Sequence, residues 1–419
     1  MQNEYLSLLR TNRNYRLVWS GAVASFFGDW FNTIALYVIV QELTGSPLAL
    51  GAVFITKMLP FAVGSPLAGL LSDRFNRRRL MIATDLIRSV VVLGFLLINR
   101  SSELPWLYVL ISVQVVLSAV FITARVASIP NITSPEQLAV ANALSAATWS
   151  VILAIGAALG GFVTDLLGTD AVFVLDSFTY LISAGFIWKT RIPQYTDAPP
   201  SGASAGASIR AAFADIAAGW RHMIERPSIA RIAFAKAVWS VGGGGLVFML
   251  ALLGERLFPD APALGIGVLY CLRGVGTGVG PIVARRFFPD ERRWPTLIGT
   301  SILACGAVYL LVGALPWGWW WIALLIGIAH APSGVNWVFS SVLLQRRTED
   351  RFRGRVIASQ WLLLTLTDSF SILAAALLLE FGGVSLRAAI LGFAGVEVLC
   401  GLVWAAVVSP AESLAAHDE

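Results

Sequence analysis

The chemistry open to this chain rests on a few ionisable residues set in apolar sequence: Asp29, Lys57, Asp85, Arg88, Lys236, Arg273, His330, Asp368 and Glu397. A carboxyl group in such surroundings can load and release a proton, because a drying site penalises its charged form. It can equally sit in a permanent pair with a cation. Asp29 and Lys57 suit either role, as proton carrier or as partners. Asp85 and Arg88, three residues apart, share one helix face and are expected to pair within that helix. Lys236 lies near the start of its apolar stretch and is expected to snorkel toward the interface. Glu397 is read as structural, and His330 as either a polar group for a ligand or a hydrogen-bonded structural residue. Other chemistry finds no support. The three Cys (Cys271, Cys305 and Cys400) are all in apolar stretches and build neither a disulfide framework nor a zinc site. There is no His-Glu-x-x-His, Gly-x-Ser-x-Gly or Walker sequence. The glycine-rich stretch 274–280 lacks the Gly-Lys-Ser/Thr ending of a phosphate loop and is read as helix packing. The chain is therefore expected to be no enzyme, to need no cofactor or metal, and to draw energy from a gradient.

The elements that must position these residues are membrane-crossing helices. Of 419 residues, 57% are apolar and 13% charged, with a mean hydropathy of +0.74. Soluble domains carry about 45–50% apolar and roughly 25% charged residues. This balance excludes a disordered chain, a collagen-like fibre and an ordinary cytosolic enzyme. A crossing helix needs ~20 mostly apolar residues. Twelve such runs lie at 17–41, 48–71, 80–98, 104–124, 139–164, 171–188, 229–252, 264–284, 295–315, 318–344, 355–379 and 386–408. Residues 189–228 divide them six and six. The stretch 197–208 is rich in Pro, Ser, Gly and Ala and reads as a flexible linker. In 208–226, Ile209, Phe213, Ile216, Trp220 and Ile224 recur at helical spacing, which suits an amphipathic helix on the membrane surface or a plain connector. The expected organisation is a six-helix half over 1–190, a cytoplasmic linker over 191–228 and a second half over 229–419.

Charge placement sets the topology. If the chain starts inside and alternates, 23 of the 30 Lys and Arg fall on inner segments, three (Arg100, Arg256 and Arg387) on outer loops and four within spans. This bias follows the positive-inside rule and predicts both termini in the cytoplasm. The formal net charge of +5 is then an orientation signal and not a nucleic-acid footprint. Residues 1–16 are polar and basic, so no cleavable leader is expected. The two halves also echo each other. Gly69-Leu-Leu-Ser-Asp73-Arg74 matches Gly280-Pro-Ile-Val-Ala284-Arg285 at an offset of 211, and the openings of spans 5 and 11, Pro135 and Glu349, match at 214. A duplicated six-helix unit is expected.

Here the residues resemble the major facilitator superfamily. Gly69-Leu-Leu-Ser-Asp73-Arg74-Phe75-Asn76-Arg77-Arg78 is similar to its signature loop, Gly-x-x-x-Asp-Arg-x-x-Arg-Arg, between spans 2 and 3. That resemblance implies a conformational latch of Gly69, Asp73, Arg74, Arg77 and Arg78, supported by Asp85 and Arg88. Acid and Arg groups there can cap helix ends and hold them together. Ala284 replaces the acid in the second half. Further matches resemble the macrolide-efflux and enterobactin-exporter branch: Gly28-Asp29-Trp30, Thr44-Gly45-Ser46, Thr84-Asp85-Leu86-Ile87-Arg88, Thr123-Ala124-Arg125, Pro135-Glu136-Gln137-Leu138 and Arg353-Gly354-Arg355-Val356. Gly156-Ala157-Ala158-Leu159-Gly160-Gly161 resembles an antiporter motif with Ala157 in the Pro position, and small-residue packing would give the same pattern.

The family architecture implies a cavity lined by spans 1, 4, 7 and 10. Counting ~1.5 Å per residue, Asp29 lies roughly 18 Å and Lys57 roughly 21 Å from the inner end of their spans. Asp29 and Asp368 are the candidate proton-coupling residues. The candidate cavity residues are Phe26, Trp30, Asn32, Lys57, Trp239, Arg273, His330, Asn336, Trp337 and Gln360. Gly156, Gly160 and Gly161 are packing candidates, and Gly242 to Gly245 a candidate unwound hinge. The sequence thus reads as an all-α, twelve-span secondary transporter of a bacterial inner membrane. Its expected work is proton-coupled export of small amphipathic compounds of drug, macrolide or siderophore type, as a monomer with no nucleic-acid partner. A lipid or lysophospholipid flippase, or a small-solute importer, of the same fold is the alternative.

Overall fold

The computed structural model describes residues 2–193 and 205–412. Among them there is no strand. The helices are α1 (Gln2–Thr11), α2 (Arg13–Thr44), α3 (Pro47–Arg74), α4 (Arg77–Leu93), α5 (Leu104–Ile132), α6 (Pro135–Trp188), α7 (Ala205–Glu225), α8 (Pro227–Leu257), α9 (Pro262–Phe287), α10 (Trp294–Ala314), α11 (Trp319–Arg347), α12 (Asp350–Phe381) and α13 (Leu386–Val403). A π-turn over Trp404–Val408 continues α13.

Eleven stretches are long and apolar enough to cross a membrane. The 54-residue α6 contains two crossings. At 1.5 Å per residue it would measure about 80 Å, far more than the ~30 Å hydrocarbon core. It breaks at Gly168, whose φ of 83° and ψ of 164° are non-helical and open to glycine alone at little cost. The chain is an all-α membrane protein of twelve crossings.

Local signals start and stop the helices. Asn12 accepts a hydrogen bond from the Tyr15 amide to open α2, and Gly45 (φ 61°) closes it. Asn76 caps α4 through the Arg79 amide, and Ser134 with Gln137 forms a capping box at α6.

The chain forms two compact units, Met1–Gly45 with Thr56–Ala211, and Ser46–Ile55 with Ala212–Glu419. The boundary does not follow chain order, because the start of α3 belongs to the second. In the first unit α2 runs along α6, and α4 along α5 and α6. The leading pairings of the second are α9 with α11, α10 with α13, α10 with α11, and α8 with α12. Small residues permit these close approaches. A Cβ on Gly160 would lie 3.2 Å from the Phe31 backbone. Methyl groups on Gly276, Gly280 or Gly334 would run into backbone of the facing helix in the α9–α11 pair. The glycine-rich stretch of α9 is thus a packing surface.

In the second unit α7 is held against the start of α12. Ser359 Oγ donates to the Ile216 carbonyl at 3.0 Å, Arg355 pairs with Asp215 at 2.8 Å, and His222 stacks on Phe352 at 4.1 Å. Of the linker, residues 194–204 lie outside the described residues.

Candidate functional site

Asp29 does not pair with Lys57. No hydrogen bond or ion pair joins them, and Asp29 faces a third helix instead. Arg88 Nη2 on α4 lies 2.6 Å from Asp29 Oδ1, and the Tyr180 hydroxyl on α6 donates to the same oxygen at 2.6 Å. Arg88 also donates to Tyr180 Oη at 3.1 Å and to Ser25 Oγ at 3.2 Å, and meets Asp85 Oδ1 at 3.4 Å. Its guanidinium lies 4.0 Å over the Tyr180 ring, and Gln114 on α5 donates to Tyr180 Oη at 2.7 Å. Arg88 and Asp85 are fully buried, while the Asp29 side chain is 29% exposed. The second oxygen of Asp85 has no hydrogen-bond partner.

A third carboxylate, Asp176 on α6, adjoins this network. Asn32 donates to its Oδ2 at 2.8 Å and the Thr179 hydroxyl to its Oδ1 at 3.2 Å. Asp176 is fully buried. A methyl on Gly28 would run into Asp176 Oδ1 and Thr179 Oγ1, which explains the glycine beside Asp29. Lys57 makes no hydrogen bond but lies in electrostatic range of Asp29 and Asp176. Three carboxylates therefore share one fixed guanidinium and one neighbouring ammonium.

Trp30, another cavity candidate, packs against α6, where a Cβ on Gly156 would lie 3.1 Å from its side chain. Gly161 is buried in the same helix. In the signature loop, Arg77 Nη1 donates to the Ala127 carbonyl at 2.7 Å. Arg78 Nε donates to the Ile187 carbonyl at 3.3 Å, and its Nη2 reaches the Trp188 carbonyl. The two Arg thus tie down the C-terminal turns of α5 and α6, where the helix dipole favours a cation. Gly69 has open space around it. The Asp73 side chain lies outside the described residues.

The second unit is arranged differently. Asp368 accepts a hydrogen bond from Ser240 and makes no ion pair with Arg273, whose guanidinium lies 5.7 Å from the Tyr270 ring. Glu397 is fully buried, with the Cys305 thiol beside its carboxyl. Lys236 does not snorkel: it is 4% exposed. Its Nζ donates to Ser341 Oγ at 2.7 Å and lies 3.5 Å from Gln360 Oε1 and 4.6 Å from the Trp337 ring. Trp337 and Gln360 are thereby brought together. His330 turns toward α10, its Nε2 lying 2.8 Å from the Tyr309 hydroxyl. Asn336 donates to the Ala235 carbonyl at 3.4 Å, and Trp239 lies in the core around Met223, Ile298 and Phe339. Gly242 to Gly245 do not unwind α8, which is helical throughout. Added methyls there would strike Phe393 and Glu397 of α13 and Asp368 of α12. Gly242, Gly244 and Gly245 let both helices close on α8, while Gly243 makes room for the Trp239 ring of α8 itself.

Comparisons place this geometry. The model of the Major Facilitator Superfamily matches residues 18–370. The chain is 26% identical to the enterobactin exporter EntS of Salmonella typhi, covering 84% of this chain and 82% of that one. It is 24% identical to macrolide efflux protein A of Streptococcus pyogenes over 43% of this chain and 45% of the relative. With the MFS-type transporter YfiS of Bacillus subtilis it shares 27% identity over 45% of this chain and 46% of that protein. It thus spans about half the length of these last two relatives. Among solved structures, a peptide transporter POT in complex with alafosfalin superposes with a TM-score of 0.74 at 13% identity, covering 96% and 95% of the two chains. That likeness concerns the fold.

Proposed function

Because the chain belongs to the Major Facilitator Superfamily, we propose that it is a proton-coupled exporter of small amphipathic compounds, working by alternating access in a bacterial inner membrane. The observation that carries proton coupling is the network of the first unit. Asp29, Asp85 and Asp176 face Arg88, with Lys57 in range. Fully ionised, that set holds one negative charge too many; with one bound proton it is neutral. Charge at membrane depth is costly, and a site balanced only when it carries one proton suits a group that loads and releases it. Asp29, the carboxylate with solvent access, exchanges the proton. Arg88 is the fixed countercharge, and Tyr180 links the two. Asp368, hydrogen-bonded to Ser240 with Arg273 in electrostatic range, is the second proton candidate.

Export, and not import, is favoured by the names of the relatives, one an enterobactin exporter and one a macrolide efflux protein. The distribution of Lys and Arg supports cytoplasmic termini. Arg77 and Arg78 serve the conformational latch, and the working unit is the monomer.

The test is transport in proteoliposomes loaded with a pH-sensitive dye, using a panel of macrolides, catecholate siderophores and cationic dyes. One compound should move against its gradient when a pH difference is imposed, with matching proton flux and collapse on adding a protonophore. Substrate movement without proton movement would overturn the coupling.

A further inference from the structure

We infer that each half of the chain carries an acid-recognising subsite, a cation resting on aromatic rings, and that the exported amphiphile bears a carboxylate beside an aromatic ring. This rests on the export reading above and names its substrate class.

In the first unit Arg125 on α5 places its guanidinium 5.4 Å over the Phe26 ring of α2. Phe26 meets Trp149 of α6 edge-on, with centroids 5.5 Å apart. Among the described residues Arg125 has no acidic partner, and its buried Nε has no hydrogen-bond partner. In the second unit Lys236 on α8 lies 4.6 Å over the Trp337 ring of α11. Trp337 meets Trp361 of α12 edge-on at 5.7 Å. The polar neighbours of Lys236, Ser341 and Gln360, are both neutral.

The two triads occupy corresponding places in the duplicated sequence. Trp337 follows Arg125 by 212 residues, Trp361 follows Trp149 by 212, and Lys236 follows Phe26 by 210. The repeat itself is offset by 211 at the signature loop. The cation and the ring have exchanged helices between halves, yet the pair persists. Packing alone would be met by two aromatic rings. A cation without a counter-ion is expensive at membrane depth, and an aromatic face offsets only part of that cost. An anionic ligand would supply the rest. Trp149 and Trp361 are 51% and 48% exposed, which leaves one side of each cage open. A guanidinium binds a carboxylate through paired hydrogen bonds, an ammonium binds it as a point charge, and the rings stack on the ligand's own ring.

The experiment uses the full chain in lipid nanodiscs. The probes are dansyl-leucine, with a naphthalene ring and a free carboxylate, and its uncharged methyl ester, titrated by energy transfer from tryptophan. The acid should bind about tenfold or more tightly than the ester, the scale of a charge-assisted contact. R125Q and K236Q should each remove much of that preference and leave ester affinity unchanged, while R125K keeps most of it. Equal binding of acid and ester by the wild type would overturn the inference, as would a preference that survives both substitutions. If R125Q fails to fold, the wild-type comparison and R125K still decide. Equal binding of acid and ester by the wild type, with proton-driven export intact, would sink this inference alone. Acid preference without any proton-driven export would sink the coupling instead.

Discussion

Replacing Arg88 should cost the protein its fold, whereas replacing Asp29 by Asn should cost only its coupling. Arg88 is fully buried and touches Asp29, Asp85, Tyr180 and Ser25 between 2.6 and 3.4 Å. Arg88→Gln strands two carboxylates without their cation. Breaking a buried pair in this way costs about 3–5 kcal/mol, enough to shift a folding equilibrium by more than about 100-fold. Asp29→Asn is milder. The amide oxygen still accepts from Arg88 and Tyr180, Asp85 still balances the guanidinium, and the lost Coulomb attraction is screened at a side chain 29% exposed. Its cost is about 1–2 kcal/mol. Abundance and thermal stability after detergent extraction read the first effect. Uphill export under an imposed pH difference reads the second, and Asp29→Asn should lose it while sparing downhill exchange. Arg88→Gln protein as stable as wild type would refute the charge argument. Wild-type uphill export by Asp29→Asn would remove Asp29 from the proton path.

Gly28→Ala should abolish folded protein, since the methyl strikes Asp176 and Thr179, whereas Gly69→Ala, in open space, should express normally; equal abundance of the two would contradict the packing. Glu412 accepts from Arg231 at 2.5 Å and from Arg347, so Glu412→Gln should lower the melting temperature by an amount equivalent to about 1–3 kcal/mol; an unchanged melt would show the clamp carries no stability. Glu397→Leu removes a fully buried carboxyl set beside the Cys305 thiol and should melt no lower than wild type; a drop of several degrees would show that the contact with Cys305 carries stability.

The twelve crossings and the presence of charge at membrane depth are legible in the sequence because length, hydropathy and spacing are one-dimensional properties. The partner of Asp29 is not. Counting residues gives depth, and Asp29 and Lys57 do share a level, but depth says nothing of the direction a side chain faces around its helix. Asp85 and Arg88 are readable as a pair because one helix fixes both angles. Asp176 was within reach: an aspartate five residues into the apolar run 171–188 meets the rule that intramembrane ionisable groups are functional candidates. The glycines of α8 show the limit of propensity. Four consecutive Gly weaken an isolated helix, but here the contacts they permit with α12 and α13 hold the helix continuous.

The two units differ in electrostatics, and the helix ends show the contrast. In the first unit the signature loop supplies Arg77 and Arg78, which donate to carbonyls in the last turns of α5 and α6. The equivalent loop of the second unit has Ala284 where the acid would stand. In the second unit a different clamp stands at the far end of the chain. The π-turn after Trp404 shifts the register of the last helix, and Glu412 beyond it is almost fully buried. This one carboxylate takes Arg231 from the start of α8 and Arg347 from the end of α11. The second clamp is therefore made by an acid brought to two fixed cations, where the first is made by cations brought to helix ends. An acidic group shared by two Arg resists screening better than an exposed pair, so a substitution at Glu412 acts on two helices at once.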